Sequence, residues 1–235
     1  MKSRLPSGMA DLKLLDDNVI PFRLRIDNLT IFMAVVVFIA LGIMYGFYNI
    51  QGRYTGYLPT ITEVAAAAPD SMIFSTVFSV LSFLIFLVFS VGVTWGEVYA
   101  VFDFWFLVAG YVSAFVCSIF LVVTANFLPK DSFISGDVGS LPFALATTIF
   151  MSGLTWKMYK ELPKSIRILR LTVIGIAAVT ILMSCVPFPV SLGANRTKTA
   201  ICQLVFIVVV AIFVVSLRRE IGQLQIDLLI LHEGN

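Results

Sequence analysis

With 235 residues, 59% of them apolar against 13% charged, and a mean hydropathy of +0.98, the chain lies far outside the composition of soluble globular proteins, and the bilayer is the solvent to reason from. A formal net charge of +2 is too small to argue for nucleic acid as a partner.

The sixteen Lys and Arg and the fourteen Asp and Glu all fall outside six windows: 28 to 52, 71 to 96, 104 to 129, 138 to 156, 171 to 195 and 199 to 217. Each window holds a helix of roughly 20 residues, the length that crosses a hydrocarbon core. No period-two barrel pattern is present, and unpaired amides in lipid are costly, so the fold class predicted is all-α. The expectation is one six-span membrane domain over residues 1–235. Its spans cover about Thr30–Tyr48, Met72–Thr94, Phe104–Ala125, Leu141–Trp156, Leu169–Val186 and Ala200–Leu217, with cytosolic tails at 1–28 and 218–235.

The segment before the first span carries Lys2, Arg4, Lys13, Arg23 and Arg25. With no cleavable signal peptide ahead of it, that span serves as its own insertion signal. The fourth connection adds Lys157, Lys160, Lys164, Arg167 and Arg170, and the tail Arg218 and Arg219; the other face has only Arg53, Lys130, Arg196 and Lys198. By the positive-inside rule both ends of the chain are cytosolic and the first, third and fifth loops are lumenal or extracellular. Trp95, Trp105 and Trp156 then lie together at the cytosolic interface, where indole rings prefer to sit. Of the two sequons, Asn28-Leu29-Thr30 is cytosolic in this arrangement and Asn195-Arg196-Thr197 is lumenal, which makes Asn195 a candidate for glycosylation.

Between spans two and three, Glu97 and Asp103 read as solvated turn residues. Span three carries two rows of small residues four apart, Ala109, Ser113, Cys117 and Gly110, Ala114, Ser118, which let helices approach closely and place it centrally. Span four is expected to open on Ser140 as N-cap with Pro142 in the first turn, where a missing amide proton costs nothing. Span five ends before Pro187 and Pro189. Beyond Arg219, the spacing of Ile221, Leu224, Leu228 and Leu231 predicts a short interfacial helix.

Several chemistries are excluded or left without their residues. The single histidine, His232, lies in the tail, so a His-based metal site is absent and a Ser-His-Asp relay lacks its base. No Walker A or dinucleotide glycine pattern occurs. Cys117, Cys185 and Cys202 lie inside spans and imply no disulfide framework. No ionisable group is placed mid-membrane for ion-coupled transport. No cofactor and no metal are expected; with no catalytic constellation in view the reading is an accessory protein, and chemistry on lipid head groups stays open as an alternative without a visible signature.

The first non-cytosolic loop is the informative segment: Tyr57, Leu58, Pro59, Thr60, Ile61, Thr62 and Glu63, then Val64 and four alanines, then Pro69 and Asp70 ahead of Phe74. Thr60 with Glu63 three residues on is a capping box, and the alanines favour a short helix that Pro69 stops. A Leu-Pro-Thr-Ile-Thr stretch after the first span, followed by a Pro-acid pair and an aromatic opening the second, resembles the family that joins the post-GPI-attachment-to-proteins factor, the damage-regulated autophagy modulators and the N-terminal domain of the cell-wall protein Cwh. The likeness is nearest to the post-GPI-attachment branch and covers the six-span layout, with the motif confined to Leu58 through Phe74. It implies an accessory factor in fatty-acid remodelling of GPI anchors, a multi-pass protein of the Golgi or endoplasmic reticulum. Its partners would be membrane lipids, and GPI-anchored proteins or a remodelling enzyme. The expected site is the lumenal loop, with Pro59, Glu63 and Asp70 foremost. Two alternatives stay open: a regulatory protein of the autophagy-modulator type in lysosomal, endosomal or plasma membranes, and a passive facilitator lined by uncharged polar residues.

Overall fold

A computed structural model of the chain describes residues 19–24, 27–53, 56–65, 70–98, 101–126, 137–186, 192–223 and 226–231. In chain order these form β1 (Val19–Leu24), α1 (Asp27–Ile50), α2 (Ile61–Ala65), α3 (Asp70–Val98), α4 (Phe104–Asn126), α5 (Asp137–Met158), α6 (Lys164–Cys185), α7 (Leu192–Ser216), α8 (Arg218–Gln223) and β2 (Ile226–Leu231). Among the described residues, five helical stretches are long and apolar enough to cross a membrane: Asn28–Ile50, Asp70–Val98, Phe104–Asn126, Lys164–Cys185 and Ala194–Gly222. α5 has 22 residues and carries Thr147, Thr148, Ser152 and Thr155 among its apolar residues.

The long helices form a closed ring in which α1 packs on α3, α3 on α4, α4 on α5, α5 on α6, α6 on α7, and α7 back on α1. Consecutive members run in opposite directions, so the two ends of the ring meet at one end of the bundle. There Arg218 Nη2 donates to Asn28 Oδ1 at 3.4 Å. The outward faces carry Phe32, Phe83, Phe115, Ile149 and Leu182, each more than half exposed. A belt of this kind is untenable in water and ordinary against lipid tails.

Several expectations are corrected. The small residues of α4 do bring helices close: a Cβ on Gly110 would sit 2.9 Å from Val93 Cγ2 on α3, and Gly110, Ala114 and Cys117 are buried. Yet α4 is peripheral, with 22% of its most apolar stretch buried against 39% in α3 and 44% along Ala194–Gly222. Small residues report how near a neighbour comes, not how many neighbours there are. α5 begins at Asp137, so Ser140 is inside it and Pro142 lies beyond its first turn. Trp105 and Trp156 face outward, but Trp95 is only 7% exposed and packs inside the bundle. α6 ends as expected ahead of Pro187: Val186 is extended, φ −88° and ψ 113°, the conformation that a following proline favours.

The tail departs most. α8 stops at Gln223, and Ile226–Leu231 pairs as an antiparallel strand with Val19–Leu24, Ile226 opposite Leu24 and Leu231 opposite Val19. Leu224 is outside the described residues. Two segments rich in Ile, Leu and Val satisfy one another's backbone groups, and this distant pairing overrides a helical spacing visible only within one of them. Pro21 fits because a two-stranded ribbon consists of edges, where a missing donor is tolerated. Nor is the start of the tail a surface appendage, since Glu220 and Ile221 are buried and α8 packs on α1 and α3.

Candidate functional site: a clasped loop above an apolar cavity

α1 ends in a turn closed by the Gly52 N–H on the Asn49 carbonyl at 3.0 Å, with Gly52 at φ +67° and Gly56 at φ +79°. Only glycine takes these left-handed conformations readily. They fold the chain back over the bundle so that Tyr57 through Ala65 lie across the start of α7.

The expected capping box is formed. The Thr60 N–H donates to Glu63 Oε2 at 2.9 Å, and the Glu63 N–H donates to Thr60 Oγ1 at 3.2 Å. The other carboxylate oxygen, Oε1, accepts from Arg196 Nη1 on α7 at 2.8 Å. The same guanidinium donates to Tyr57 Oη at 2.7 Å and lies over the Tyr57 ring, 5.6 Å from its centroid. One carboxylate therefore starts α2 and ties the loop to a helix more than a hundred residues away.

Three backbone contacts complete the clasp. The Leu58 N–H donates to Thr197 Oγ1 at 3.3 Å, the Ile61 N–H to Gln203 Oε1 at 3.1 Å, and Tyr45 Oη to the Pro59 carbonyl at 2.9 Å. Pro59, Thr60 and Ile61 are buried as a result. Asp70 is separate from this cluster. It opens α3, where a negative charge complements the helix dipole, and its fully buried carboxylate lies 3.4 Å from Arg53 Nη1. Pro69 is outside the described residues. Asn195 is half-buried in the first turns of α7, beside the two residues of its sequon that hold the loop.

Sequence reasoning found the loop but not its partners. Tyr45 and Gln203 were not singled out, Arg53 entered only as a topology count, and Arg196 and Thr197 only through that count and the sequon of Asn195. A signal was present nonetheless: of the few cations on that face, two answer the two acids of the loop, Glu63 and Asp70.

Beneath α2 lies a cavity of about 330 Å³, set between the start of α3, the end of α4, the start of α5, the end of α6 and the start of α7. Phe74, Phe78, Phe143 and Phe206 give it aromatic walls, and no charged side chain lines it among the described residues. Its size is within the range of ligand sites, roughly 300–1,000 Å³.

At the opposite end two further ion pairs are present among the described residues. Arg170, read from sequence as a topology determinant, is fully buried. Its Nη2 lies 2.9 Å from Glu220 Oε2 and donates to the Ser216 carbonyl, while its Nε donates to Ser216 Oγ at 2.9 Å. Asp103 is exposed, 2.5 Å from Lys157 Nζ, and the hydrogen bond from that lysine holds its carboxyl below the usual carboxylate range. Glu97 is exposed and takes no part in that pair. Among the described residues no cluster of three or more His, Cys, Asp or Glu could hold a metal ion.

No family model matches the chain, and no curated protein or solved structure is detectably similar to it.

Proposed function

We propose that this membrane protein is an accessory factor in remodelling the fatty acids of GPI anchors, holding lipid on the lumenal side of a Golgi or endoplasmic reticulum membrane. The observation that carries the reading is the clasped loop: its motif residues Leu58 to Glu63 are fixed above a cavity with apolar walls, at the end of the bundle where the anchor's lipid would sit. In this reading α5 is the sixth span, since it stands in the ring between α4 and α6 and turns Leu145 and Ile149 outward. Both termini are cytosolic, in keeping with the excess of Lys and Arg at the end where they meet.

The role is one of binding and orientation. Glu63 and Arg196 neutralise each other at the rim, which leaves the loop a neutral clasp instead of a general acid or base. Orientation is tested by glycan mapping: sugar on Asn28 contradicts it. Function is tested by mass spectrometry of the lipid on GPI-anchored proteins from cells lacking the protein and cells with it restored. Accumulated lyso-anchors or unremodelled chains, reversed on restoration, support the proposal. An unchanged anchor profile sinks it and moves the weight to a regulatory role in another membrane.

A further inference from the structure

We propose that the cavity beneath α2 is a binding site for a single hydrocarbon chain, which enters sideways from the membrane past the last turn of α6. The inference is compatible with the remodelling role but does not require it.

The polar groups of the lining point to the class of ligand. Thr124 Oγ1 donates to the Phe120 carbonyl, Thr180 Oγ1 to Ala177, Ser184 Oγ to Thr180 and Thr199 Oγ1 to Asn195, all between 2.7 and 3.1 Å. Thr62 Oγ1 lies 3.1 Å from Thr60 Oγ1, and Gln203 Oε1 accepts from the Ile61 N–H. These hydroxyls and the Gln203 carbonyl are already engaged within the protein, so a sugar or a hydrated ion gains few hydrogen bonds for the water it leaves behind. The remaining surface is chiefly Phe, Leu and Ile, which rewards methylene groups.

Shape narrows the class further. Along α7 the lining runs from Thr199 to Ile207, roughly 12 Å at 1.5 Å per residue. A volume of about 330 Å³ along that depth makes an elongated slot that an extended chain can follow. Access is marked by Cys185 at the end of α6, which lines the cavity and is itself exposed. Cys202 lines the same cavity but is buried.

The test uses the full chain in nanodiscs with two probes, a diazirine palmitate and a phosphatidylcholine with the diazirine in one tail. The expected result is crosslinking to Thr180–Cys185 and Cys202–Ile207, outcompeted by unlabelled palmitate. The same competitor should slow maleimide modification of Cys202 more than that of Cys117, which is buried outside the cavity. Labelling by both probes supports a chain still attached to its lipid; labelling by the fatty acid alone supports a free acid. Cys202→Phe should lower the yield by about tenfold, the effect of displacing a couple of methylenes from apolar contact. Thr180→Leu, on the α6 wall, repeats the test should Cys202→Phe fail to fold. Crosslinks confined to lipid-facing residues such as Ile201, unchanged in the variants, with Cys202 unprotected, would overturn the proposal. An unchanged GPI-anchor profile with crosslinking intact would overturn only the remodelling role.

Discussion

The two ends of the bundle use the same pair of side chains in opposite ways. At the loop end, Arg196 and Glu63 meet with about a third of each side chain exposed, above a cavity. At the other end, Arg170 and Glu220 meet with 0% and 5% exposed, among Met158, Phe213, Leu217 and Ile221, all fully buried. Water screens the first pair, so its contribution is of the order of 0–1 kcal/mol. Around the second, solvent has been removed and neither charge can lose its partner cheaply. One end of the molecule is thus locked, and the other is fastened in a way that can be undone.

The comparison is broken most severely by removing one member of the buried pair. Glu220→Ala or Arg170→Leu should each cost about 3–5 kcal/mol, because an uncompensated charge is left inside. The double variant Arg170→Leu/Glu220→Leu should recover most of that loss, and thermal unfolding in detergent micelles reads both. If the single variants melt like the parent, the locked end is not locked.

A smaller effect is expected at Gly96, near that end. A Cβ there would lie 2.0 Å from the Phe102 ring, so Gly96→Ala should cost about 1–3 kcal/mol by overpacking. Phe102→Leu in the same chain should relieve it, giving a non-additive double-mutant cycle. Additivity would mean that the ring simply swings away.

The clasp should be weaker still. Thr60→Ala removes one half of the capping box and should cost about 1 kcal/mol, read as faster proteolysis or hydrogen exchange of residues 57–65 with little change in the global melting temperature. Equal losses of local and global stability would erase the contrast between the ends.

The smallest effect sharpens the rule that exposed pairs matter little. Asp103 is held below its usual range by Lys157. Its contribution is therefore fully present above the unfolded carboxylate value near 3.9 and is lost as pH falls through the lower folded value. Comparing melting at pH 7 and pH 3, Asp103→Asn should lose slightly less than the parent. A larger loss in the variant would contradict the sign.

How much of this was legible in the sequence depends on the range of the interaction. The helices follow from apolar runs, and their described extents contain the expected spans apart from Val186 and Leu217, one residue beyond Cys185 and Ser216. The capping box was legible because Thr60 and Glu63 are three residues apart and local geometry fixes their contact. Arg196 on Glu63 was not, since only the closing of the ring brings α7 to the loop. The structural role of Arg170 was hidden for a related reason: a basic residue beside a span reads only as a topology signal until Glu220, fifty residues on, is seen to pair with it inside the bundle. The cavity has no signature at all, because Phe and Ile look alike whether they face lipid, a neighbour or a void. The strand at Ile226–Leu231 was misread where helical periodicity and strand pairing compete for the same leucines.

The closing of the ring between α1 and α7 also sets an order of events during synthesis. Glu63 leaves the ribosome 133 residues before Arg196, an interval of roughly 7–27 seconds at translation rates of about 5–20 residues per second. For that time α1 lacks a neighbour on one side and the loop lacks every contact it makes with α7. A chain that stopped after α6 would present the insertion machinery with an open arc, its motif loop untied and its cavity missing a wall. α7 is what turns a row of packed helices into a container.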